Sequence, residues 1–184
     1  MIKCAIFDAD GTLIDSMTMW RDITYEYPLQ KGVQPPEGLH NPLNRLSMEQ
    51  CADHYRSLGV PGTTEEVVQE LAACALEGYR TRVPEKPRAG ELVRLLHENG
   101  VKVAVATASH TDGVTAALEH CGILPYVDHI ISCTEVGKSK EYPDVFLHCA
   151  ELFGALPRES VVFEDSAYAA RTAKEAGFPV VAVA

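Results

Sequence analysis

The chain is short of positive charge. Its 184 residues include 16 Lys and Arg against 26 Asp and Glu, a formal net charge of −10. Nucleic acids and anionic membrane surfaces are bound through basic patches, so neither is an expected partner. An anionic substrate would have to be drawn by a local cation. Long apolar runs are missing too: nothing approaches the ~20 residues of a membrane-spanning helix, and no signal-peptide pattern is visible. A cytoplasmic protein is therefore expected. There is no internal repeat and no low-complexity tract. The cysteines, Cys4, Cys51, Cys74, Cys121, Cys133 and Cys149, include no CxxC pair, which argues for buried reduced thiols and against a zinc or disulfide framework. The histidines show no ligand spacing.

What is present is ordinary for a globular chain: 46% apolar and 23% charged residues, enough to bury a core as one domain or one domain with a small insertion. Ile2-Lys3-Cys4-Ala5-Ile6-Phe7 reads as a buried strand, and Asp8-Ala9-Asp10-Gly11-Thr12-Leu13 follows it. Residues 15–84 show no strand pattern. This stretch has prolines at Pro28, Pro35, Pro36 and Pro42. Two capping boxes, Ser47-Met48-Glu49-Gln50 and Thr63-Thr64-Glu65-Glu66, each open a helical repeat, and Gly59 fits the end of the first helix. From residue 85 the pattern alternates. Helices are marked by Leu92, Leu95 and Leu96, by Val114, Ala117, Leu118 and Cys121, by Phe146, Cys149, Ala150 and Phe153 after Pro143, and by 167–176. Apolar strands are expected at 101–106, 127–132, 161–163 and 180–183. The expected fold is α/β: a three-layer, Rossmann-like parallel sheet core over 1–14 and 85–184, with a small helical cap over 15–84 inserted after the first strand. The sequence stops inside the last strand, and a helix or tail could follow in a longer version.

Polar clusters recur just past the strands: Asp8 and Asp10, then Thr107-Ala108-Ser109, then Lys138 and Lys140, then Glu164-Asp165-Ser166. In an open parallel sheet such loops gather at one edge. Like carboxylates crowded together need a cation or a shared proton. Oxygen ligands of high charge suit Mg²⁺ with a substrate phosphate; hydroxyls, backbone N–H groups and a lysine suit phosphoryl oxygens. Each cluster also has a plainer reading. Thr107, Ser109 and Asp165 are residue types that cap helices, Lys138 that of a solvated charge. Trp20 suits either the core of the insertion or a pocket wall, and His110 either the surface or a substrate contact.

In their order and spacing these clusters resemble the motifs of the haloacid dehalogenase superfamily, in the subfamily similar to β-phosphoglucomutase and phosphoglycolate phosphatase. The DxDGT motif stands as Asp8-Ala9-Asp10-Gly11-Thr12, the strand-terminal Thr as Thr107, and Glu-Asp-Ser as Glu164-Asp165-Ser166. The Lys-Pro-x-Pro-Asp motif reads Lys140-Glu141-Tyr142-Pro143-Asp144, without its first proline and with Lys138 as a neighbouring competitor. By that resemblance Asp8 is the nucleophile and Asp10 the general acid/base. Thr107, Ala108, Ser109 and Lys140 hold the phosphate. Asp8, Asp10 (through its carbonyl), Asp165 and Glu164 form the Mg²⁺ site, and the cap closes over it. The resemblance implies a Mg²⁺-dependent phosphatase of a small phosphorylated metabolite, sugar phosphate-like, working through an aspartyl-phosphate; a monomer is the expectation. A mutase of the β-phosphoglucomutase type is the alternative. Mutases have a Thr and, four residues on, a His after the first motif, where Ser16 and Trp20 stand here, and the mutase cap arginine falls near Met48. A phospho-acceptor signalling module uses similar groups, but it has no insertion after its first strand. Asp10 argues against dehalogenation, since the true dehalogenases lack that second aspartate.

Overall fold

The computed structural model describes residues 1–43, 46 and 48–183. The chain divides into two compact units, Met1–Ser16 with Val83–Ala184, and Met17–Arg82.

In the first unit, β1 (Cys4–Phe7) is the middle of a five-stranded sheet. On one side lie β2 (Lys102–Thr107) and β3 (His129–Ser132), on the other β4 (Ser160–Glu164) and β5 (Val180–Ala182), giving the order β3-β2-β1-β4-β5 with every pairing parallel. This is the α/β Rossmann-like architecture expected from the alternating strands and helices. Because β2 and β4 flank β1 and the chain winds outward in both directions, the sheet reverses at β1, where a ligand crevice forms beyond the carboxyl ends of the strands.

Strand parity fixes what faces that crevice. Cys4 and Ile6 of β1, Ala104 and Ala106 of β2 and Val162 of β4 join one buried cluster with Val145, Phe146 and Cys149 of α8 (Asp144–Leu152) and Ala169 and Ala173 of α9 (Ala167–Glu175). Pro143 stands at the N-cap of α8, its missing N–H costing nothing there. The other face of β1 and β2 buries Ala5, Phe7, Val103 and Val105. The helices between β1 and β3 in this unit are α5 (Ala89–Glu98) and α6 (Thr111–His120). Helix α5 buries Ala89 and Val93 with Leu96 half-buried, while Leu92 and Leu95, expected on the inner stripe, are exposed. The i, i+4, i+7 row at 89, 93 and 96 is the one that meets the sheet. A short helix that the sequence reading missed, α7 (Cys133–Val136), follows β3; a capping box between Ser132 and Glu135 starts it and Gly137 (φ 77°) ends it. On β4 and β5, Val161 and Phe163 are half-buried and Val181 is exposed.

Among the described residues, the regular elements of the second unit are helices: α1 (Met17–Gln30), α2 (His40–Leu43), α3 (Met48–Ser57) and α4 (Thr64–Thr81). The Thr63–Glu66 capping box forms as expected, with Glu66 N–H donating to Thr63 Oγ1 and Thr63 N–H to Glu66 Oε2. The expected Ser47 cap lies outside the described residues. Helices α1 and α2 have no counterpart in the sequence reading. Pro28, a breaker on sequence grounds, sits near the C-terminal end of α1. Few backbone bonds remain there for it to disrupt, and its carbonyl accepts from Lys31 and Val33 N–H as the helix closes. Tyr27 and Tyr55 pack edge to face at 5.3 Å in the core of this unit. Trp20 donates to Tyr79 Oη at 3.3 Å and lines a cavity of about 290 Å³ together with Ile23, Leu43, Met48, Cys51 and Leu71. All six cysteines are free, with Cys4, Cys133 and Cys149 buried. Among the described residues no helix is long and apolar enough to cross a membrane.

Candidate active site

Asp8 directly follows β1, and its N–H donates to Phe163 O on β4 at 2.9 Å. It keeps the parity of Cys4 and Ile6, so its side chain points to the face covered by α8. The pairing of Phe7 with Phe163 sets Glu164 beside Asp8 on that same face; the two rings stack on the other face at 4.3 Å. Register alone therefore puts two carboxylates side by side in the interior, with Asp8 6% and Glu164 1% exposed. The cation between them is Lys140, 3% exposed, which ion-pairs with Asp8 Oδ1 and donates to Glu164 Oε2 at 2.8 Å. It comes from the loop that leads into α8. Lys138, its neighbour in the sequence, lies on the surface and pairs with Asp144 at 2.7 Å.

The loop after Asp8 is tightly wound. The Ala9 carbonyl accepts from the N–H groups of Thr12, Leu13 and Ile14, and Gly11 N–H donates to Ile14 O at 2.8 Å. Gly11 adopts φ 94°, a region that disfavours any side chain. Beyond β2, Thr107 is fully buried and its Oγ1 accepts from Ser109 N–H at 3.0 Å, while Ser109 Oγ donates to Asp10 Oδ2 at 2.6 Å. Neither hydroxyl caps α6; its N-cap is His110, which makes no side-chain cap bond. Ala108 is exposed between them. Asp165 is exposed and does not cap α9 either: the N-cap is Ser166, whose N–H donates to Glu164 Oε1 at 3.1 Å.

The electrostatics follow from burial. Desolvation pushes the Asp8 carboxyl up to about 7 against the pull of Lys140, with Glu164 and Asp10 adding repulsion. Glu164 is raised for the same leading reason. Burial works against the Lys140 charge, yet Asp8 and Glu164 together hold it above its ordinary value. One cation is set against three carboxylates, since oxygens of Asp8, Glu164 and Asp165 lie within 4.8 Å of one another. Asp8 Oδ2 is buried without a hydrogen-bond partner. A charge deficit and an orphaned carboxylate oxygen beside two more acidic side chains fit a hard divalent cation of the Mg²⁺ kind. These residues form an acidic cluster able to bind a metal.

Two neighbours carry no motif signal. Cys133 opens α7, with burial raising its thiol, the Lys140 charge opposing the rise and Asp8 adding to it. Tyr168 stands in the first turn of α9; its only mark in the sequence is its place three residues after Asp165.

A family model described as haloacid dehalogenase-like hydrolase matches residues 2–177. Fructose-1-phosphate phosphatase YqaB of Escherichia coli K12 is 29% identical over 183 residues, covering 97% of this chain and 94% of that protein. Hexitol phosphatase B of the same organism is 30% identical over 168 residues, covering 90% and 76%. Among solved structures, the β-phosphoglucomutase of Clostridium difficile shares the fold at TM-score 0.75 and 19% identity, over 100% of this chain and 85% of that one. The chain belongs to the haloacid dehalogenase-like hydrolases.

Proposed function

We propose that this chain is a Mg²⁺-dependent phosphatase of a small phosphorylated metabolite, sugar phosphate-like, acting through an aspartyl-phosphate. The observation that carries the reading is the state of Asp8: a buried carboxylate with one oxygen anchored by Lys140 and the other without a partner. The unit that contains Asp8 does the chemistry, and Met17–Arg82 is its cap.

Asp8 attacks phosphorus as the bond to the leaving oxygen breaks. Asp10, oriented by Ser109, gives that oxygen its proton. Asp10 then takes a proton from water, whose oxygen attacks the same phosphorus and frees Asp8 with inorganic phosphate. Thr107, Ala108, Ser109 and Lys140 hold the phosphoryl oxygens at the end of β2 and the start of α8. The metal would be held by Asp8, Asp165 and Glu164 with the Asp10 carbonyl, where it would offset the charge of the phosphoryl group. Two Escherichia coli relatives named for fructose-1-phosphate and hexitol phosphates support a sugar or polyol phosphate as the substrate class. Trp20 and Met48 at the positions where a mutase carries His and Arg favour hydrolysis over isomerisation.

The test is phosphate release from p-nitrophenyl phosphate and a panel of sugar and polyol phosphates, with Mg²⁺ and with EDTA. Turnover is expected with Mg²⁺ and not in Asp8→Asn. A wild type inactive on the whole panel, or an Asp8→Asn variant with full activity, overturns the reading.

A further inference from the structure

Leu92 and Leu95, exposed on α5, flank a pocket on the side of the sheet away from α8 and α9. Strand register sets Phe7 of β1, Phe163 of β4 and Val181 of β5 in one row on that side. Their cover thins along the row: Phe7 is 2% exposed, Phe163 half-buried and Val181 44% exposed. Both faces of a parallel sheet are ordinarily covered. The pocket, about 470 Å³, has apolar walls of Phe7, Phe163, Val183, Leu92 and Leu95, and its size is that of a small-ligand site. Thr12, Lys86, Arg88 and Glu91 also line it. Arg88 and Glu91 cancel each other, the guanidinium donating to both carboxylate oxygens at 2.9 and 3.2 Å. The Lys86 ammonium has no ion-pair or hydrogen-bond partner among the described residues. Lys86 N–H donates to Leu13 O at 2.8 Å, which sets this residue beside Thr12. Thr12 is 5% exposed, and its hydroxyl is buried without a hydrogen-bond partner, a rare state that calls for a missing partner.

We infer that this pocket binds a small amphipathic carboxylate, its apolar body against Phe163, Val183, Leu92 and Leu95 and its anionic head at Lys86 and Thr12. The charge decides the head: an unpaired ammonium and an unpaired hydroxyl can both donate, and an ionised carboxylate only accepts. The walls decide the body: a polyhydroxylated ligand would leave its hydroxyls unpaired against phenyl and aliphatic groups. A neutral apolar ligand would leave Lys86 and Thr12 without partners. The pocket is distinct from the cluster of Asp8, Glu164 and Asp165, since Asp8 and Glu164 point to the opposite face. It draws on the same segments, however. Phe7 and Phe163 immediately precede Asp8 and Glu164, and Thr12 and Leu13 belong to the loop after Asp8. The ligand therefore rests on the back of the two strands that position the acidic cluster. The inference stands independently of the phosphatase reading, and binding is measured without a substrate.

The experiment is calorimetric titration of the whole chain in EDTA with sodium octanoate, and with 1-octanol as its uncharged analogue, for wild type, Lys86→Gln and Leu95→Glu. Lys86 is half-buried and Leu95 is 56% exposed, so both variants should keep a melting temperature near that of wild type. Wild type is expected to bind one octanoate per chain and to bind octanol about tenfold more weakly, since a charge-assisted contact is lost. Lys86→Gln should weaken octanoate by about tenfold and leave octanol unchanged. Leu95→Glu removes an apolar wall and adds a like charge, so it should weaken octanoate by about tenfold or more. Wild type that shows no saturable octanoate binding overturns the inference. So does equal binding of octanoate and octanol, or a Lys86→Gln variant with full octanoate affinity, because the pocket then recognises no charge. Unaltered binding in Leu95→Glu also overturns it, and moves the ligand to another cavity such as that beside Trp20. Wild-type self-association that Leu95→Glu abolishes assigns the pocket to a second copy of the chain and overturns it as well.

Discussion

A side chain at Gly11 would run into Asp165: a Cβ built there stands 2.8 Å from Asp165 Cγ and nearer still to Oδ2. The loop after β1 and the loop after β4 approach each other this closely because the first of the two has no side chain at the contact. Gly11→Ala meets two penalties, the φ of 94° and the collision. The expected result is a loss of about 1–2 kcal/mol from the backbone strain alone and a phosphatase rate reduced by more than about tenfold as Asp165 is pushed away. Urea denaturation and phosphate-release assays measure the two effects separately.

Lys140 and Lys138 stand two residues apart and should behave as opposites. Lys140→Met leaves Asp8 and Glu164 buried without their cation, a loss on the order of 3–5 kcal/mol in metal-free buffer. Lys138→Ala breaks a surface pair with Asp144, whose side chains are 51% and 33% exposed, and an exposed contact of the ammonium over the Tyr142 ring at 5.5 Å, and should change stability by about 1 kcal/mol or less. Denaturation midpoints of the two variants in EDTA decide this. Equal effects would mean that the buried lysine is not what balances the site.

The pH dependence of stability has a definite sign. Asp8 and Glu164 both have their carboxyls raised in the folded protein, Asp8 to about 7 from an ordinary 3.8. The native state therefore holds protons that the unfolded chain gives up, and their contribution is complete below pH 4 and lost as pH rises toward 7. Glu70, held below its ordinary value by Lys31 and Tyr27, works the other way, but in a more acidic range. In EDTA the melting temperature is expected to fall between pH 5 and 7.5, and Asp8→Asn should flatten that fall. Adding Mg²⁺ should raise the melting temperature most at pH 7.5, where the cluster is ionised. A metal-free protein more stable at pH 7.5 than at pH 5, through a slope that Asp8→Asn leaves untouched, would reverse the assigned sign.

What could be read ahead of the structure depended on whether a signal was local. The strands are short apolar runs, β1 to β4 ending at polar residues, and their pattern survives without knowledge of what packs on them; the Thr63–Glu66 capping box is equally self-contained. Helix α1 was hidden because Pro28 and a mixed composition blur its period, and it is held by packing such as Tyr27 against Tyr55, which no window of sequence contains. Leu92 and Leu95 look like core residues but lie one step off the buried row of α5. At the site, residue types and order stand out in the sequence, whereas the proximity of Asp8 and Glu164 arises from sheet register between strands more than a hundred residues apart, and Lys140 joins them from the loop before α8. The loop before α8 buries Lys140 and leaves Lys138 at the surface, a difference that composition alone does not reveal.

Ser109 offers the narrowest test of the proposed chemistry. Its hydroxyl donates to Asp10 Oδ2 at 2.6 Å, and its own N–H is held by Thr107 Oγ1, so a hydroxyl after β2 fixes the rotamer of a carboxylate after β1. Ser109→Ala keeps the backbone contact and removes the side-chain one. Ser109 is partly exposed and its loss leaves no large cavity, so stability should change by about 1 kcal/mol or less. The rate should respond more strongly, because Asp10 must deliver a proton to the leaving oxygen and then collect one from water, and both steps require it to be positioned. A fall in kcat of about tenfold or more is expected for an alkyl phosphate. The fall should be smaller for p-nitrophenyl phosphate, whose leaving group departs with little help from an acid. Equal losses on the two substrates would mean that Ser109 acts only by holding the phosphoryl group, and would leave the orientation of Asp10 to other contacts.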